Sequence, residues 1–316
     1  MMNINKRLKV ALSGVVLFMF FITGEALAGS NSVVSVKWLA KNLNKPNMVI
    51  LDVSAFTHYE KNHIPGAVKA FGPWMTMNDN FVGFMMPRVK KLVRMIKGYG
   101  VNNNSFIVVY DEGVTANDTA KSARALWTLH ALGHAEVAIL DGGFAGWEQM
   151  DEVVSNKPAT PDAGNFTGKL VESKLASLAE VEKKMHDPRV IFVDNRSPDH
   201  FFGKEKNSEI ERFGHIPGSR LWPESYMTDA GVDLSPSYLK DVKSLSQMAA
   251  GAGIPADKNV EIITCSNHGL EAAMGYFVLH DILGYKNVKV YDGSILEYAA
   301  IRNVPMERYS WGYKTW

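Results

Sequence analysis

"VILDVS" at residues 49–54 precedes "HIPGA" at 63–67, and the same order returns as "VIFVDNRS" at 190–197 before "HIPGS" at 215–219. Outward from these, "FIVVYDEG" (106–113) parallels "VEIITCSN" (260–267), and "ALGHAEVAILDGGFAGW" (131–147) parallels "ILGYKNVKVYDGSILEY" (282–298). Three matched stretches in one order, repeated at a spacing of roughly 150 residues, mean two tandem copies of one domain, because stacked repeat arrays use much shorter units. The intervening "DEVVSNKPATPDAGNFTGK" (151–169) is rich in turn-forming residues and lacks periodicity, so it reads as a connector. The division expected is a first domain over 29–150, a linker over 151–167 and a second domain over 168–316.

Within each copy, short apolar runs alternate with helical patterns. "MVILDV", "FIVVY" and "VAIL" in the first, and "RVIFVD", "VEIIT" and "VKVY" in the second, are near-continuous hydrophobic strands. Such runs suit parallel sheets covered on both faces. Between the last two strands of each copy lie the helical stretches 117–133 and 269–284, each containing a terminal Gly. The fold class is therefore α/β, with two mostly parallel sheets, each flanked by helices and joined by right-handed crossovers.

The chain has 316 residues, 46% hydrophobic, with 34 Lys plus Arg against 33 Asp plus Glu. That balance gives no electrostatic footprint for nucleic acid, and none is assigned as a partner. Residues 1–28 stand apart: Lys6, Arg7 and Lys9 precede an apolar core, "VALSGVVLFMFFIT", and "ALA" at 26–28 supplies a small-residue cleavage pattern. This is the grammar of a secretory signal peptide, too short for a comfortable membrane span. It predicts cleavage after Ala28 and an exported, periplasmic protein without a stable membrane span; the alternative is an uncleaved anchor.

Exported proteins usually use cysteines in disulfides, yet this chain has one, Cys265. It sits where the run Ile262-Ile263-Thr264 stops and a polar turn, Ser266-Asn267-His268-Gly269, leads into a helix. Ligands of open α/β sheets bind beyond such strand ends. Two readings stand. Free cysteine is often an inert core residue, or the thiol faces unpaired helix N–H groups that stabilise a nucleophilic thiolate. The polar turn, and the placement of Asp111 at the matching point of the first copy, favour the reactive thiol. Arg196 stands where the first copy has Ser54, so asymmetry between copies selects Cys265 and Arg196 together. His63 and His215 occur in both copies and read as turn residues. Metal-ligand spacings, Gly-rich phosphate loops and Gly-x-Ser-x-Gly elbows are lacking, and no metal or cofactor is assigned.

With "HIPGA", "HIPGS", "VDNRS", "LSPSYLKDVKSL" (234–245), "GIPADKNVEIITC" (253–265), "LDGGFAGW" and "YDGSILEY" in order, the chain resembles the two-domain rhodaneses, the thiosulfate and 3-mercaptopyruvate sulfurtransferases. The resemblance implies a silent first domain and a second whose Cys265 takes sulfane sulfur as a persulfide and passes it to a thiophilic acceptor. Small sulfur donors and acceptors, or a thiol protein, are the implied partners. Arg196 matches an arginine that helps bind anionic substrate. Ser266, Asn267, His268, Gly269, Leu270 and Glu271 form the active-site loop, whose backbone amides hold the persulfide.

This loop departs from the family pattern. Gly269 falls four residues after the cysteine instead of three, and Ser266 and Asn267 replace the basic residues of the thiosulfate type. A charge-assisted hydrogen bond contributes about 1.5–3 kcal/mol, and Glu271 adds a negative charge, so weak thiosulfate turnover and a different natural donor are expected. The longer loop also resembles rhodanese-like phosphatases and arsenate reductases. Their loop arginine is replaced here by Glu271, which argues against that chemistry. A sulfur or selenium carrier serving a protein partner is the competing reading, and an inert two-domain relic is a further one.

Overall fold

The computed structural model describes residues 32–77, 82–229 and 235–312. The predicted signal peptide lies outside the described residues. In the first copy, strands β1 (Val33–Val34), β2 (Met48–Asp52), β3 (Val68–Lys69), β4 (Phe106–Tyr110) and β5 (Val137–Leu140) alternate with helices α1 (Val36–Asn42), α2 (Phe56–Lys61), α3 (Val89–Gly98), α4 (Ala116–Ala131) and α5 (Gly143–Gln149). The second copy repeats the series: β6 (Leu175–Ala176), α6 (Leu178–Lys184), β7 (Val190–Asp194), α7 (Pro198–Phe202), β8 (Arg220–Leu221), α8 (Val242–Gly251), β9 (Glu261–Cys265), α9 (Leu270–Tyr276), β10 (Asn287–Tyr291) and α10 (Ser294–Ala300).

The two sheets have matching orders, β1-β5-β4-β2-β3 and β6-β10-β9-β7-β8, and their strand pairs are parallel. β4 and β9 hold the centres, and their side chains are buried except at the first residue of each. Helix starts are written locally: Ser35, Ser177, Ser197 and Asp241 cap α1, α6, α7 and α8, and Thr115 with Asp118 closes a capping box on α4.

The helix expected over 269–284 is α-helical only to Tyr276. It continues as a π-helical stretch, Phe277–Ile282, the wider turn that accommodates an added residue. α4 and α9 pack together at the seam between the copies. One apolar cluster contains Leu126, Trp127 and Leu129 of α4, Ala273 and Met274 of α9, and Val109 and Ile262 of the two sheets. Separate clusters fill the outer faces, with Ile50, Val108 and Tyr110 in the first copy and Phe192, Ile263 and Cys265 in the second. Two reciprocal caps join the copies: Asp141 accepts from the Leu239 amide at 2.8 Å and Asp292 from the Met86 amide at 2.6 Å.

The connector lies along the first copy. Ser155 bridges to His63, the Gly164 amide donates to the Lys97 carbonyl at 2.8 Å, and Phe166 is buried in the shared core.

Candidate functional site around Cys265

Strand register locates Cys265. Asp194 pairs with Cys265 across β7 and β9, as Asp52 pairs with Tyr110 across β2 and β4. The next rungs agree: the Asn195 amide donates to the Cys265 carbonyl at 2.9 Å, and the Val53 amide to the Tyr110 carbonyl at 2.9 Å. The first-copy counterpart of Cys265 is therefore Tyr110, a correction of one residue from the expected Asp111. Asp111 corresponds to Ser266. A one-residue offset moves a side chain to the other face of a strand, so the correction turns Cys265 toward the outer core.

There the thiol is fully buried, in a cluster with Phe192, Ile263, Tyr291 and Ile295. Burial, and then the Asp194 carboxylate, push its pKa well above the ordinary value, with Arg196 opposing. The expected exposed, ionised thiolate is thus corrected to a sealed and protonated thiol. The tyrosine in the first copy fills its matching space with a ring whose hydroxyl accepts from the Ile64 amide at 3.1 Å.

Arg196 balances that exchange. Its Nε and Nη2 donate to the Asp194 carboxylate at 2.9 and 2.6 Å, and Nη2 also to the Gly214 carbonyl at 2.8 Å. Ser54 holds Asp52 in the same way, through its amide at 2.9 Å and its hydroxyl at 2.5 Å. The first copy pairs large Tyr110 with small Ser54; the second pairs small Cys265 with large Arg196. The arginine is 2% exposed, and its Nε–Nη2 edge holds its own strand-end carboxylate and the carbonyl just before the HIPG turn. His215 stacks on Phe201 with ring centres 3.7 Å apart and His63 on Tyr59 at 3.9 Å, the turn role read from their symmetry.

After Cys265 the chain is pinned to the start of α10. The Ile295 and Leu296 amides donate to the Ser266 and Asn267 carbonyls at 3.0 and 2.9 Å. The Ser266 amide donates to Ser294 Oγ at 3.1 Å, and the Gly269 amide to Ser266 Oγ at 3.0 Å. Two of the expected persulfide-holding amides thus already have side-chain acceptors. Gly269 takes φ +80°, and a Cβ there would stand 2.8 Å from Arg124 Nη1, so the position needs glycine. Leu270 turns into the shared core.

The loop also carries polar side chains. Asn267 Nδ2 lies 3.3 Å from His200 Nδ1. The His268 ring lies 4.5 Å from that of Phe84, which reaches across from the first copy. Asn267 Oδ1, His268 Nδ1 and Glu271 Oε2 are buried without a hydrogen-bond partner. Burial, and then the Glu271 carboxylate, raise Glu224 to about 7. Sequence reasoning missed His200 and Glu224. His200 was legible, since it follows the strand end at the same interval as His58, which pairs with Glu112 at 3.4 Å. Glu224 is brought near by the turn after β8 and has no local signal.

Two further groupings arise from tertiary contact. Arg124 Nη1, on α4, donates to Asp292 Oδ1 at 2.5 Å, and both residues are buried. His130, His280 and Asp281 gather at the α4–π-helix seam with candidate ligand atoms within 4.8 Å of one another. Lys174 Nζ lies 2.8 Å from His280 Nε2 and places a cation beside that group.

Two parallel α/β domains related by internal pseudosymmetry, with one thiol ending the central strand of the second, define a class of tandem-domain proteins. The family model of the rhodanese-like domain matches residues 35–150 and 177–301, and the chain belongs to the rhodanese family. A Synechococcus elongatus protein provisionally named a thiosulfate sulfurtransferase is 32% identical over 279 residues, covering 87% of this chain and 84% of that one. The 3-mercaptopyruvate sulfurtransferase of Escherichia coli K12 is 28% identical over 290 residues, covering 87% and 97%. The solved structure of SseA from E. coli superposes with a TM-score of 0.67 at 26% identity, over 83% of this chain and 98% of that one. An ergothioneine biosynthesis enzyme from Chlorobium limicola reaches 0.74 at 16% identity, over 88% and 70%, a likeness of fold alone. The protein is a sulfurtransferase.

Proposed function

We propose that Cys265 carries the transferred sulfur as a persulfide. The observation that carries this reading is the position of the chain's sole thiol at the carboxyl end of central strand β9, with Tyr110 in its place in the first copy. The thiolate attacks the outer sulfur of a donor. The donor's bond to that sulfur breaks, releasing sulfite from thiosulfate or the enolate of pyruvate from 3-mercaptopyruvate. An acceptor nucleophile then attacks the outer sulfur, the Cys265 S–S bond breaks, and the cysteine leaves as thiolate.

Burial of the thiol sets a condition on this cycle. Sulfur gains access when the loop at 266–269 and the Phe84–His268 contact part, and hydration on opening restores the thiolate. The occupied Arg196 and the charge of Glu271 support weak use of a dianionic donor such as thiosulfate. Export, with the leader removed after Ala28, places the reaction in the periplasm, as the sequence of residues 1–28 supports.

Burial also favours a second reading, a carrier that delivers sulfur only to a docked thiol protein. Thiocyanate production from cyanide with several donors separates the two. The enzyme reading predicts many turnovers and their loss in Cys265→Ser. A single stoichiometric release supports the carrier, and unchanged turnover in Cys265→Ser contradicts both.

A further inference from the structure

The electrostatics at the mouth of the Cys265 loop carry a conclusion about the sulfur acceptor. Glu271 is the second residue of α9, six residues beyond the cysteine, and its Oε2 is buried without a hydrogen-bond partner. Glu224 opens the turn after β8, Glu224–Tyr226, which packs against α9, and it is half-buried. No ion pair joins either carboxylate to a cation among the described residues. Arg196, which feels both the Cys265 sulfur and Glu271, is neutralised by its fork on Asp194. His200 is held toward its neutral form by burial and then by Arg196. The loop's other unpartnered polar atoms, Asn267 Oδ1 and His268 Nδ1, are able to accept hydrogen bonds. A mouth with two unpaired carboxyls and further acceptors complements a hydrogen-bond-donating cation.

We propose that Glu271 and Glu224 determine acceptor specificity and that the sulfur acceptor is a thiol bearing a positively charged amine, with anionic thiols disfavoured. The inference rests on the persulfide reading. The amine sits against the carboxyls while the acceptor sulfur attacks the outer sulfur of the Cys265 persulfide. The new S–S bond forms on the acceptor, the old one breaks, and Cys265 departs with the electron pair.

Cysteamine and 3-mercaptopropionate, similar in length and opposite in charge, provide the test. Protein preloaded with inorganic polysulfide is mixed with each thiol, and loss of the sulfur adduct from Cys265 is followed by mass spectrometry. The wild-type protein should favour cysteamine. Glu224→Gln with Glu271→Gln, nearly isosteric, should still load sulfur on Cys265 yet lower the cysteamine-to-mercaptopropionate rate ratio by about tenfold, as expected for losing the Glu271 charge and part of a second at Glu224. Comparing ratios removes the intrinsic difference in thiol reactivity. Wild-type protein that loads sulfur but favours the anionic thiol, or a ratio unchanged in the double variant, overturns the inference alone. Protein that takes no sulfur on Cys265 contradicts the persulfide reading and this inference with it.

Discussion

Tyr110 and Cys265 occupy one position in two copies of a fold, and the bulk lost in one is recovered at Arg196 in the other. The neighbouring Asp111 bears a testable cost. Burial, opposed by Lys121, raises its carboxyl to about 7. A raised acid favours the folded state fully below its unfolded pKa, near 3.8, and that contribution is lost as pH rises through about 7. Asp111→Asn should therefore stabilise the protein at pH 8 by about 2–4 kcal/mol and show no gain near pH 4; thermal melts at the two values check this. Cys265 follows the same sign at higher pH, so folded protein should resist iodoacetamide at neutral pH while urea-unfolded protein reacts at once. Mass spectrometry of the Cys265 peptide reads both rates. The sequence identified the thiol and its polar turn. Its face was not legible, because an alignment one residue off assigns the opposite side of the strand, and only the ladder to β7 fixes the register.

At the scale of elements, the seam of α4 against α9 and its π-helical continuation holds the buried charges. Breaking a buried ion pair from one side leaves the other charge uncompensated, at about 3–5 kcal/mol. Arg124→Met should lower the melting temperature accordingly and expose the connector at 151–167 to limited proteolysis, and Asp292→Asn, which leaves the buried guanidinium unpaired, should cost as much. His130, pushed down to about 4 chiefly by burial, with Asp281 opposing, folds as the neutral ring. A depressed base supports the folded state above its unfolded pKa, near 6.5, and loses that support as pH falls through about 4. Stability should drop by about 3 kcal/mol across this window, and urea titrations should show a smaller drop in His130→Gln. Strands and half of the helix starts are written in apolar runs and caps, which are local. The π turn, the Arg124–Asp292 pair and the His130 cluster are not, because each is set by packing between copies.

The whole molecule uses its pseudosymmetry twice, in the reciprocal caps of Asp141 and Asp292 and in the reach of each copy toward the other's loop. In the first copy the matching place opens as a cavity of about 490 Å³ lined by His58, Glu112 and Phe144, with Ser235 and Pro236 from the second. If Phe84 helps close the Cys265 loop, Phe84→Ala should raise the rate of Cys265 alkylation by about tenfold without changing the melting temperature by more than a few degrees. An unchanged rate would remove Phe84 from the gate. The tandem organisation was the most legible feature, since repeated motifs need no tertiary information; the closed state of the site depends on contact between domains and left no trace in either repeat. The most direct test of sulfur transfer through Cys265 is the mass of its peptide after exposure to a sulfur donor. That peptide should gain one sulfur atom, removed by cyanide and absent in Cys265→Ser; an unmodified Cys265 in protein that turns over would rule out transfer through this thiol.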